Sequence, residues 1–150
     1  MKTKIYLASP FFNDEEIKVY DEVIELLRME KNVDVFVPRE HEIPNAWDME
    51  NHKWAEAVFA VDLIALQRAD VVVVLNFGMY SDSGTAWECG YAYGTRKRVL
   101  NILCGEYEGD YSLMMTNGTT ACVSLDVFRN LTLEQCFSEE KEHNEKIMQK

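Results

Sequence analysis

The chain has 150 residues, 47% hydrophobic and 27% charged, with a formal net charge of −11 at pH 7. That length allows one domain with a real core, covering 1–150, and not two ordinary ones. The acidic balance argues against nucleic acid or an anionic membrane as the main partner, because both are held by Lys/Arg neutralisation, and leaves small neutral or cationic molecules.

In chain order, Lys4–Ala8 is predicted as a strand, and Asp14–Lys31 as a helix whose apolar face carries Ile17, Val23, Ile24 and Leu27. Val33–Val37 is a second strand. A loop with Pro38 and Pro44 then leads to a long helix from about Trp47 to Ala69. The run Val71–Leu75 is short, β-branched and bounded by Asn76 and Gly78, which suits a strand buried on both faces. Next come a helix at Gly84–Thr95, a strand at Val99–Leu103, a Gly-rich loop at Gly105–Gly109 and a helical turn near Leu113. A last strand is expected at Thr120–Val123, followed by a charged helix after Leu131 whose end, Glu139–Lys146, is a solvated tail. Strands alternating with helices imply a parallel sheet covered on both sides: an α/β, three-layer, flavodoxin-like or Rossmann-like single domain.

Cys89, Cys104, Cys122 and Cys136 show no close-paired spacing, and His41, His52 and His143 make no metal-ligand pattern with them, so neither a metal nor a cofactor is expected. Reduced thiols, a start that runs straight into a strand, and the lack of any apolar run near ~18 residues predict a cytoplasmic protein with no membrane association.

Two carboxylates carry the chemistry. Glu88 is the charged residue between Gly84 and Thr95, placed in the first turns of a helix at the carboxyl edge of the sheet. Open α/β sheets bind ligands there, and the positive end of the helix dipole favours an ionised carboxylate, as a nucleophile requires. A Gly-rich turn usually suits phosphate, but Asp82 before Gly84 and Glu88 after it would repel one, so a neutral ligand is expected. The same residues also suit a surface helix capped by Asp82 or Ser83, with Glu88 in water. Asp62 interrupts the apolar stretch Ala57–Leu66 in the C-terminal half of its helix, where burial and dipole both raise a carboxyl pKa and favour a general acid. A buried Asp tied to a backbone N–H or to Arg68 or Arg39 is the alternative. One ionised and one protonated carboxylate suit cleavage of a glycosidic C–O or C–N bond. Tyr6, ending the first strand, can reach Glu88, while Phe11, Phe12 and Trp54 offer flat surface to an aromatic leaving group; core packing is the better explanation for each of the three aromatics taken separately.

The ordered set Lys4-Ile5-Tyr6-Leu7-Ala8-Ser9-Pro10-Phe11-Phe12, Trp54 with Asp62, Ala69-Asp70, and Asp82-Ser83-Gly84-Thr85-Ala86-Trp87-Glu88-Cys89-Gly90-Tyr91-Ala92 resembles the nucleoside 2-deoxyribosyltransferase family. The resemblance runs from the first strand to about Met115. It implies exchange of the base of 2′-deoxyribonucleosides with free purines and pyrimidines, through a covalent deoxyribosyl-Glu88 intermediate and with net retention. On this resemblance Tyr6 orients Glu88, Asp62 is the acid and base facing the nucleobase, and Asp82 with the Gly84 turn contacts the sugar 5′-hydroxyl or the base. Ser112-Leu113-Met114 is a strip lent by a neighbouring subunit of a homo-oligomer. Three positions depart from the family pattern: Ser112 stands where Asn is frequent, Glu42 where an amide contacts the base, and the C-terminus has no aromatic residue. An acceptor-only carboxylate at Glu42 reads a different base edge from an amide. The alternatives are an N-glycoside hydrolase of nucleosides or nucleoside 5′-monophosphates, and a nonenzymatic nucleoside-binding module.

Overall fold

The computed structural model describes residues 1–80, 82–104 and 110–141; the Gly105–Gly109 loop and the end of the charged tail lie outside the described residues. Strands β1 (Thr3–Ala8), β2 (Val33–Phe36), β3 (Val71–Asn76), β4 (Arg98–Leu103) and β5 (Ala121–Ser124) form a 5-stranded sheet in the order β2-β1-β3-β4-β5, parallel at every pairing. This is the flavodoxin-like order of the expected α/β class. Its topological switch point falls between β1 and β3, where open sheets leave a crevice beyond their carboxyl ends.

The strand pleat sorts the core into two layers. Ile5, Leu7, Val71, Val73, Leu100 and Ile102 pack on one face against Tyr20, Val23, Ile24 and Leu27 of α1 (Asp14–Arg28) and against α5 (Leu125–Asn130) and α6 (Leu133–Ser138). Their neighbours Tyr6, Ala8, Val72, Val74 and Val99 face Leu66 of α2 (Asn51–Arg68), Cys89 and Ala92 of α3 (Ser83–Gly94), and Met115 of α4 (Leu113–Asn117). β3 is buried along its whole length because both layers close on it. α2 is held more loosely: of its 18 residues Leu66 alone is fully buried, while Trp54, Phe59 and Ile64 remain about half exposed.

Two helix ends differ from the sequence reading by several residues, and α5 is a helix that it did not contain. The long helix begins at Asn51 and not near Trp47, because Asn45 takes a left-handed conformation (φ 59°), Ala46–Asp48 makes a separate 3-10 turn, and Met49 is extended. The first helix stops at Arg28, where Met29 caps it and Asn32 (φ 60°) turns the chain into β2. α5 follows β5 with no intervening loop, nucleated by the Ser124 hydroxyl accepting from the Val127 N–H at 3.2 Å. A helix that starts on the last strand residue leaves no Gly or Pro punctuation to read.

Candidate active site

The turn from β3 into α3 builds the first half of the site. Gly78 adopts φ 127°, a conformation side chains rarely take, and donates its N–H to the Asn76 side chain at 3.1 Å. Asp82 then N-caps α3, accepting from the Thr85 N–H at 2.8 Å and the Thr85 hydroxyl at 2.9 Å. Gly84 is needed beside that cap, since a Cβ there would stand 3.1 Å from the capping Asp82 oxygen. Beyond this turn, Glu88 points back over the sheet and accepts a hydrogen bond from the phenol of Tyr6. Tyr6 itself is fully buried on β1, so strand and helix hold the pair from opposite sides.

α2 contributes the second half. Asp62 is half-buried on the flank of α2 that looks toward α3. A cavity of about 620 Å³ runs between the two helices, lined by Asp62, Glu88, Ser83 and Gly84 together with Trp54, Phe59, Trp87 and aliphatic side chains. Such a volume lies in the range of small-molecule sites, and apolar walls with two convergent carboxylates suit an aromatic, largely neutral ligand. Arg39 is engaged by Asp21 at 2.5 Å, and Arg68 lines a separate cavity, so neither forms the ion pair that would have made Asp62 purely structural.

The electrostatics correct one expectation. Glu88 occupies the sixth helical position, beyond the first turn where the dipole acts, and burial dominates: its carboxyl is pushed up to about 7. The Tyr6 hydrogen bond opposes that rise, while the charges of Asp62 and Asp82 add to it. Burial also raises Asp62, against the charge of His41. Both carboxylates are therefore raised and each disfavours ionisation of the other, so the division into a dipole-held anion and a burial-held acid does not describe the pair. The Tyr6 phenol is raised far above its ordinary value by burial and by Glu88, which keeps it a donor.

Other predicted residues lie outside the cavity lining. Phe11 stacks on Phe12 and Tyr20 with centroids 5.9 and 5.6 Å apart, and Phe12 is 76% exposed. Glu42 is exposed in the segment after β2. Ser112 is the N-cap residue of α4, and Met114 projects from it, 75% exposed. Sequence reasoning missed Phe59 and Trp87, whose rings meet edge to face at 5.6 Å beside the cavity. Their signal was spacing, three residues before Asp62 and one before Glu88. Among the described residues no group of His, Cys, Asp and Glu is arranged to hold a metal, and no helix is long and apolar enough to cross a membrane.

A parallel sheet with a Tyr–Glu pair and a second raised carboxylate beside one cavity places the protein among α/β domains that carry a candidate ligand site at the carboxyl edge of the sheet. Residues 5–147 match the model of the nucleoside 2-deoxyribosyltransferase family, and the chain belongs to that family. It is 26% identical to a nucleoside deoxyribosyltransferase from Lactobacillus leichmannii over 128 residues, 79% of this chain and 82% of the relative. The structure is similar to a 2-deoxyribosyltransferase from the psychrotolerant bacterium Bacillus psychrosaccharolyticus, with TM-score 0.74 and 31% identity, covering 89% of this chain and 96% of the other. A CMP N-glycosidase from Clostridium botulinum shares the fold at TM-score 0.54 and 19% identity, covering 81% of this chain and 87% of that one.

Proposed function

We propose that the protein exchanges the bases of 2′-deoxyribonucleosides, with Glu88 as nucleophile and Asp62 as acid and base. The observation that carries this reading is the pairing of two raised carboxylates across one apolar cavity, with Tyr6 donating to Glu88. A Glu88 carboxyl near 7 is ionised in a substantial fraction of molecules at neutral pH and is more basic than an ordinary carboxylate. Its oxygen attacks C1′, the C1′–N bond breaks, and protonated Asp62 gives its proton to the departing base. The resulting deoxyribosyl ester on Glu88 is displaced by a second base, whose N–H proton returns to the Asp62 carboxylate. Two inversions give net retention.

Tyr6 holds the free Glu88 oxygen in place, and Trp54, Phe59 and Trp87 offer surface to the base. The Gly84 turn and Asp82 are assigned to the sugar 5′-hydroxyl or the base, and Phe11, Phe12 and Glu42 to the base side. Ser112 and Met114 are assigned to the site of a neighbouring copy in a homo-oligomer. Support for assembly comes from the apolar residues left on the surface, Trp54, Phe59, Trp87 and Met114 among them. The four cysteines are all buried, which fits a reducing, cytoplasmic setting.

The alternative is hydrolysis, in which water takes the place of the second base at C1′. Incubation with deoxyinosine and free adenine separates the two: deoxyadenosine marks transfer, hypoxanthine alone marks hydrolysis. Intact-mass analysis with a slow substrate should add one deoxyribosyl group, mapped to Glu88. An unmodified, inactive protein would remove both readings.

A further inference from the structure

His41 follows the 3-10 turn Pro38–Glu40, its N–H donating to the Pro38 carbonyl at 3.0 Å. Its imidazole lies flat on Phe36, with ring centroids 4.1 Å apart and planes 12° from parallel. Phe36 lies in turn on Tyr6, at 5.5 Å and 13°, as the pairing of these two residues on adjacent strands dictates. A column of three rings thus runs from the exposed His41 to the phenol that donates to Glu88.

Phe36 is the middle ring of that column. It is only partly buried, and a cavity of about 460 Å³ lined by Phe36, His41, Ile64, Arg68 and others opens beside it. With His41 removed, Phe36 gains room to swing off Tyr6. We propose that His41 is a positioning residue for the glycosyl-transfer centre: its ring clamps Phe36 onto Tyr6 and thereby keeps the phenol on Glu88.

The functional half of this proposal rests on the base-exchange reading, so its test pairs kinetics with a measurement that needs no turnover. His41→Phe preserves a flat ring without charge; His41→Ala removes both. In deoxyinosine–adenine exchange His41→Ala should lower kcat about fivefold with little change in KM, and His41→Phe should restore most of it. NMR should show the ring contacts between Phe36 and Tyr6 weakened in His41→Ala and kept in His41→Phe. Intact ring contacts in His41→Ala, or a His41→Phe protein as slow as His41→Ala, overturn the clamp. If the wild type exchanges no bases, the exchange reading fails while the NMR comparisons still decide the role of His41.

Discussion

The phenol of Tyr6 donates a hydrogen bond to Glu88 across 82 positions of sequence, from a central strand to the helix that covers it. That bond favours the ionised carboxylate and partly offsets burial, leaving Glu88 at about 7. Tyr6→Phe should raise Glu88 further, because only the opposing effects of burial and neighbouring charge remain. The acid limb of kcat/KM is then expected to move up by about one pH unit, so the loss is about tenfold at pH 6 and smaller at pH 8.5. A pH–rate profile that falls evenly, with its limb unmoved, would show that Tyr6 acts only by shape.

The same raised carboxyl carries a stability cost with a definite pH window. Glu88 binds its proton more tightly in the folded chain, about 7 against 4.5. Below 4.5 it is protonated in both states and costs nothing; the cost grows as pH rises and is complete above about 7. A displacement of that size corresponds to at most on the order of 3 kcal/mol. Glu88→Gln still accepts from Tyr6 and never ionises. It should therefore melt together with the wild type at pH 4 and several degrees above it at pH 8. Equal Tm values at both pH values would mean that Glu88 is not raised.

Much of this was legible in the sequence, for identifiable reasons. The β-branched run Val71–Leu75 and the Asp82–Gly84 turn are local signals, and they placed β3, α3 and the sheet class correctly. Tyr6, Asp62 and Glu88 stood out because polar groups in apolar surroundings are costly unless used. The protonation pattern was not legible, because it depends on how deeply α3 buries its sixth residue and on charges brought from α2, neither of which is local. The ring column of His41 and Phe36 escaped for the same reason: Phe36 lies on Tyr6 only once β2 pairs with β1. The start of α2 was misplaced because Asn45 adopts a left-handed turn that Trp47-Asp48 does not announce.

Asp62 is expected to act on the leaving group. Asp62→Asn keeps the shape but has no proton to give, so substrates with poor leaving groups should lose about 100-fold or more in kcat, and those with activated leaving groups far less. Single-turnover rates over a series of purine analogues test this directly. A uniform loss across the series would make Asp62 a binding group.

Asp82 and Glu88 flank the turn that would meet a substrate's 5′ end, and Asp82 already adds to the upward shift of Glu88. A phosphate dianion placed there faces two carboxylates. Deoxyadenosine should therefore be used at least about 100-fold more efficiently than its 5′-monophosphate, and Asp82→Asn should narrow the gap. Comparable kcat/KM values for the two substrates in the wild type would favour the nucleotide-hydrolase alternative.

Assembly yields the last prediction. Leu113 and Met114 project from α4 with 40% and 75% of their surface exposed, while Trp54, Phe59 and Trp87 leave an apolar rim around the cavity mouth. Exposed apolar groups of this kind on both features are matched if the α4 strip of one copy covers the rim of another. In such an oligomer each site takes Glu88 from one chain and Ser112 with Met114 from the next. Glu88→Ala and a Ser112→Ala/Met114→Ala double variant should each be nearly inactive alone. Co-refolded, they form some sites with an intact Glu88 and an intact strip, and random pairing should restore about a quarter of wild-type activity. Light scattering and mass analysis must verify the mixed oligomers. An active monomer, or mixed oligomers without recovery, would remove the shared site and leave the Tyr6–Glu88–Asp62 chemistry to a single chain.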